Sequence, residues 1–140
     1  MSNIKYGLAW SNKFELDNEE VDSQHRRLFE LLSELVASCM DGTDTVKLKA
    51  TLDFLIEYTV RHFHDEERLQ IRYNFPDYNR HRQLHETFKG TVAGLVNKFD
   101  INGSSAELSN DVNKIIVQWL VKHIQQEDMK IGTHIRNAVN

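Results

Sequence analysis

Four stretches of this chain carry core-type residues at alternating steps of four and three, and that spacing restricts its fold more than anything else in it. In the first, Val21, His25, Leu28, Leu32, Leu35 and Cys39 form one stripe. The second stripe is Leu48, Leu52, Leu55, Thr59, His62, Glu66 and Leu69. The third is His81, His85, Phe88, Val92, Leu95 and Phe99, and the fourth is Val112, Ile116, Trp119 and His123. Such steps keep residues on one side of an α-helix and make the seam of a packed bundle. Strand-like alternation is absent. The only proline, Pro76, sits in "YNFPDYN", and "CMDGTDT" (39–45) and "DINGSS" (100–105) are two further turn-like clusters. Three breaks leave four segments of helical length, and short connections make successive helices antiparallel neighbours. The sequence therefore predicts an all-α, up-down-up-down antiparallel four-helix bundle. One domain is expected over 1–140: an N-terminal arm over 1–17, the bundle over 18–128 and a short helical tail over 129–140. Asp17 or Asn18 is the expected cap of the first helix.

The 140 residues are enough to bury a core without covalent support, and 40% of them are hydrophobic. The net charge is −4, with 17 basic residues scattered among 21 acidic ones. No basic stripe forms, which argues against nucleic acid as a partner. Cys39 is the only cysteine, so no internal disulfide can form, in keeping with a reducing compartment. The N-terminus "MSNIKYGLAW" lacks a basic head and apolar run, and nothing approaches the roughly 20 apolar residues of a membrane span. A soluble, cytoplasmic protein with no membrane association is expected.

The polar members of the stripes carry the chemistry. Each stripe is apolar except where it turns to histidine or glutamate: His25 on the first helix, His62 and Glu66 on the second, His81 and His85 on the third, His123 on the fourth. Residues four apart share a helix face, so each pair presents two donor groups on neighbouring turns. One histidine on an apolar stripe is ordinarily a hydrogen-bonded core residue, and HxxxE or HxxxH alone is a weak signal. Five imidazoles on the core stripes of four helices are different, because burying that many polar rings without partners would cost several kcal/mol. A metal resolves this. Imidazole with carboxylate suits iron, zinc, copper or nickel, and the donors are too many for one tetrahedral zinc. His64 lies about 200° around the helix from His62 and should face solvent. His134, in the tail, is also expected to be exposed. Gly90 and Gly94 fall inside the third helix, where close helix contact, ligand entry or plain tolerance would each explain them.

The strings "DSQHRRLF", "HFHDEE", "HRQLH" and "HIQQED" carry the pattern His25, His62-x3-Glu66, His81-x3-His85 and His123-x4-Asp128. Over nearly the whole chain this resembles the hemerythrins, in particular the single-domain bacterial hemerythrin-like proteins. The resemblance implies a non-haem centre of two iron ions (Fe2+/Fe3+) with a bridging oxo or hydroxo group. One iron would take His81, His85 and His123, and the other His25 and His62, with Glu66 and Asp128 bridging both. It also implies an open position on the two-histidine iron, where O2 is the ligand. Leu28, Phe63, Trp119, Leu120 and Ile124 would line a dry O2 pocket. Spacing on a regular helix would choose Glu127 over Asp128, so the family pattern predicts a π-type irregularity there. Asp65 and Glu67 are expected on the solvated exterior with His64, and Gln70 stands where relatives often carry methionine.

The function implied is reversible O2 binding for carriage, storage or sensing, by a protein that is not an enzyme. A partner protein could read its state. The rival reading is a di-iron enzyme reducing peroxide, nitric oxide or O2, although carboxylate-rich oxidases use more glutamate and fewer histidines. A third is a bundle with zinc or no metal serving as an interaction module.

Overall fold

A computed structural model describes residues 10–11, 14–41, 45–103 and 105–139 of the chain. Three long helices come first: α1 (Glu19–Asp41), α2 (Thr45–Arg72) and α3 (Tyr78–Asn102). A fourth rod follows in five continuous pieces: α4 (Ala106–Asp111), a π-helical stretch (Val112–Gln118), α5 (Trp119–His123), a second π-helical stretch (Ile124–Asp128) and α6 (Met129–Val139). No strand occurs among the described residues. The bundle expected from the stripes is the one observed.

Contacts between rods fix their directions. Gln24, early in α1, meets Asp65, late in α2. Lys49, at the start of α2, meets Asp100, at the end of α3. Arg80 at the start of α3 reaches Glu127 far along the fourth rod, while Lys98 near the end of α3 reaches Glu107 at its beginning. Each neighbour therefore runs opposite to the last.

The start of α1 is held by two polar side chains. Asn18 Oδ1 accepts the Val21 N–H at 3.2 Å, so Asn18 is the cap. Asp22 is buried and accepts the Leu16 N–H at 2.8 Å and the Asn18 N–H at 3.2 Å. Asp17 takes a left-handed conformation (φ 63°), and its carboxylate accepts from Arg136 at 3.1 Å. Between α2 and α3 the chain reverses through Asn74 (φ 54°), and the Phe75 N–H donates to the Gln70 carbonyl at 2.9 Å.

The apolar stripes meet in one large core that includes Leu28, Leu32, Leu35, Leu52, Phe88, Val92, Leu95, Ile116 and Leu120. A second cluster of Leu16, Val21, Leu69, Phe75 and Ile131 closes the end near the α2–α3 turn. A third, on the flank, joins Phe14 and Phe29 to Ile124, with Trp10 packed against it. Leu16 lies so close to α6 that a Cβ on Gly132 would stand 2.7 Å from the Leu16 carbonyl oxygen. Gly90 and Gly94 face open space, which excludes close helix contact as their explanation. Residues 1–9 and 12–13 of the expected arm, residues 42–44 of the first break, Ser104 and Asn140 lie outside the described residues, as does the side chain of Cys39. Among the described residues no helix is long and apolar enough to cross a membrane.

Candidate metal centre

All seven residues singled out from the sequence meet in the bundle interior. His25 comes from the second turn of α1, His62 and Glu66 from the C-terminal third of α2, and His81 and His85 from the first turns of α3. His123 and Asp128 come from the fourth rod. Antiparallel packing brings the start of α1 and α3 to the same level as the end of α2, and none of the seven is more than 4% exposed.

Their donor atoms divide into two sets. Glu66 Oε1 lies 3.0 Å from His81 Nε2 and 3.3 Å from His85 Nε2, and Asp128 Oδ1 lies 3.0 Å from His81 Nε2 and 3.1 Å from His123 Nε2. The other oxygen of each carboxylate turns the opposite way. Glu66 Oε2 is 3.2 Å from His62 Nε2 and 3.5 Å from His25 Nε2, and Asp128 Oδ2 is 3.0 Å from His25 Nε2. One set is thus His81, His85 and His123 and the other His25 and His62, with both carboxylates shared; the donors of each set lie within 4.8 Å of one another.

These atoms crowd one another. His123 Nε2 lies 3.1 Å from His85 Nε2 and 3.1 Å from His81 Nε2, a crowding of three nitrogens that protons cannot satisfy together. Among the described residues, both Asp128 oxygens, Glu66 Oε2, His62 Nε2 and His25 Nε2 are buried without an aligned hydrogen-bond partner despite the short distances. Groups buried in this state are costly unless something positive sits between them. Five imidazole nitrogens and two carboxylates shared between the sets fit a pair of transition-metal ions, and five histidines exceed what one tetrahedral zinc can use.

Local helix geometry decides which acid enters. On a regular helix Asp128 would lie about 140° from His123 and Glu127 would be its neighbour. The π-helical stretch Ile124–Asp128 widens the turn, so that the residue five along stacks on His123. Asp128 consequently points inward at 1% exposure, while Glu127 lies outside and takes two hydrogen bonds from Arg80, at 2.6 and 3.2 Å. The expected irregularity is present. The earlier stretch Val112–Gln118 had no sequence signal; it turns both Val112 and Val117 into the core.

The electrostatics of the pocket favour positive charge. Burial opposes protonation of His25, but the Asp128 and Glu66 carboxylates beside it outweigh burial and hold its pKa up at about 9. The same balance holds His81 at about 10. His85 is raised against its burial by Glu66 and Glu67. For His62 burial wins over Glu66, and the ring is pushed down. Burial would raise Glu66 and Asp128, yet the surrounding histidines hold both well below the usual carboxylate range.

Two expectations for the exterior need correction. Glu67 and Asp65 are not simply solvated. Glu67 Oε2 accepts from His85 Nδ1 at 2.8 Å, and Asp65 Oδ2 accepts from Gln24 Nε2 at 2.9 Å, while Gln24 Oε1 meets His62 Nδ1 at 2.7 Å. They sit beside Glu66 on the flank of the stripe, where an antiparallel neighbour brings the far nitrogen of a ring within reach. Flanking position next to a stripe ligand was the available signal, and it applies to Gln24 as well. His134 is half-buried: its Nε2 donates to the Tyr73 carbonyl at 2.7 Å and its ring meets Phe75 edge-on. His64, by contrast, is 70% exposed, as its position around the helix requires.

Of the residues expected to line an O2 pocket, Leu28, Phe63 and Leu120 lie in the main core with Trp119 packed against it. Phe63 stacks on His85 (3.8 Å between ring centres, 5° between planes) and Trp119 on His123 (4.4 Å, 10°). Ile124 instead joins the flank cluster with Phe14 and Phe29.

Fold and site together define a four-helix bundle built around a dinuclear-type donor cage. The model of the hemerythrin HHE cation-binding domain matches residues 16–135. The chain is 36% identical over 121 residues to a hemerythrin-like protein of Naegleria gruberi, covering 86% of this chain and 87% of the relative. It is 31% identical over 111 residues to a bacteriohemerythrin of Methylococcus capsulatus, covering 79% and 82%. The crystal structure of a leucine-to-tyrosine variant of a hemerythrin superposes with a TM-score of 0.80 at 25% identity, over 91% of this chain and 95% of that one. The protein belongs to the hemerythrin family.

Proposed function

We propose that the protein binds O2 reversibly at a non-haem di-iron centre and is not an enzyme. One observation carries this reading: Glu66 and Asp128 each turn one oxygen to the three-histidine set and the other to the two-histidine set, which is the arrangement two bridged ions require. His81, His85 and His123 would hold one iron, His25 and His62 the other, and Glu66 and Asp128 both. The chemistry such a centre supplies is transfer of two electrons to O2 and their return.

The remaining residues make that transfer reversible. Phe63 covers His85 and Trp119 covers His123, and with Leu28 and Leu120 they keep water from the site. Their side chains carry no carboxyl, imidazole or ammonium group, so this wall holds no acid that would release reduced O2 as hydrogen peroxide. Carriage, storage and sensing all rest on this one property. A cytoplasmic location is part of the proposal, supported by the single cysteine. It includes no nucleic-acid partner, supported by the scattered basic residues.

Iron-loaded protein prepared without air is expected to be nearly colourless, to gain charge-transfer bands in O2 and to lose them under vacuum. Rapid conversion to the ferric state with release of peroxide would refute reversible binding. Retention of zinc with no such bands would refute the iron centre itself.

A further inference from the structure

The imidazole nitrogens that face away from the donor cage are not backed alike. His85 Nδ1 is 2.8 Å from Glu67 Oε2, so this nitrogen carries the proton and a carboxylate stands behind the ring. His62 Nδ1 is 2.7 Å from Gln24 Oε1. The Gln24 amide cannot be turned over, because its Nε2 already donates to Asp65 Oδ2 at 2.9 Å. The carbonyl oxygen must therefore face His62, and His62 Nδ1 must be the donor. His25 Nδ1 is buried and has no hydrogen-bond partner among the described residues. The three-histidine set thus has an anion behind one of its rings. The two-histidine set has a neutral amide behind one ring and no acceptor for the other.

A hydrogen bond to a carboxylate pulls the ring proton away and leaves the opposite nitrogen a stronger donor; an amide does so far less. We propose that Glu67 is a positioning residue that makes the His81–His85–His123 side the more strongly donating half of the centre. The metal held there is the more tightly bound of the two and has the lower reduction potential. The His25–His62 side would keep the less strongly donated metal of the two. Gln24, locked by Asp65, sets the tautomer of His62 without adding charge to it. The inference rests on the di-iron reading given above.

Glu67→Gln isolates the charge, since it keeps the shape and an acceptor for His85 Nδ1. In iron-loaded protein, removal of metal by a chelator should be biphasic. The variant should speed the slower phase about 10–100-fold and raise the lower of the two reduction potentials, leaving the faster phase and the higher potential nearly unchanged. Asp65→Ala, which frees the Gln24 amide, should do the reverse and speed only the faster phase. Identical phases and potentials in Glu67→Gln and the parent, or an equal shift of both halves, would overturn the inference while leaving the di-iron centre standing. A parent protein that retains fewer than two metals would overturn the centre and the inference with it.

Discussion

Replacing Gln70 by methionine should stabilise the protein. Gln70 follows Glu66 by one helical turn, is 0% exposed, and neither its Oε1 nor its Nε2 has a hydrogen-bond partner among the described residues. Leaving a buried polar group unpaired costs roughly 1–3 kcal/mol, and the carboxamide brings both a donor and an acceptor into this position. Methionine has the same chain length and no such groups, and its thioether adapts to irregular space. Its slightly greater bulk gives back up to about 1 kcal/mol in strain. Even with that strain in full a net gain of up to about 2 kcal/mol remains, worth up to roughly 8 °C in Tm for a chain of this size. Urea denaturation and calorimetry of metal-free and metal-loaded protein measure it, with Gln70→Leu as a shorter apolar control. A lower midpoint in Gln70→Met with unchanged m would refute the reasoning, because it would mean that the amide is hydrogen-bonded in the folded protein.

The π-turn makes opposite forecasts for adjacent acids: Asp128→Ala should lose at least one metal by elemental analysis, whereas Glu127→Ala should keep both and lose only its exterior contacts with Arg80 and Lys130, worth up to about 1 kcal/mol in urea titrations. The glycines should also divide. Gly94→Ala adds a Cβ into open space and should gain up to about 1 kcal/mol of helix propensity, while Gly132→Ala meets the Leu16 carbonyl and should lose more than that, both read as shifts in unfolding midpoint. Metal loading should expel protons. At pH 7.5 His25 and His81, held at about 9 and about 10, are protonated in metal-free protein, and His62 and the two carboxylates have no proton to give. Indicator titration in weak buffer should show at least two protons released per pair of metals, and apparent affinity should fall as pH falls. Metal binding without proton release at this pH would contradict the charge state given for the pocket.

Most of this architecture was written in steps of four and three. His62, Glu66, His81 and His85 lie on the stripes that also place Leu55, Phe88 and Val92, so periodicity alone brought them to the interior. Asp128 was different. Its inward position depends on a backbone irregularity that single-residue propensities do not encode, and only the family pattern pointed to it. Gln24, Asp65 and Glu67 were hidden for another reason: each sits at the edge of a stripe, where its role depends on the rotation of the neighbouring helix rather than on its own. His134 likewise owes its burial to Tyr73 and Phe75, 61 positions away for the bonded carbonyl, which no local pattern reports.

The polar layer also explains why the bundle needs apolar clusters on both sides of it. Two ionised carboxylates and five imidazoles add little to folding by themselves, since their contacts mainly offset the loss of hydration. The net drive must come from the main core, in which Leu28, Leu32 and Leu35 are fully buried, and from the end cluster around Leu16, Phe75 and Ile131. Held between these clusters, the donors cannot relax away from one another when no cation is present. Protons on His25 and His81 only partly compensate, because His62 is driven toward neutrality and both Asp128 oxygens stay without aligned donors. A pair of cations removes these conflicts together in the folded state alone. Binding energy at the centre therefore appears directly as added stability of the bundle. The same rigidity that makes the empty cage unfavourable holds the two donor sets in place as electrons leave and return.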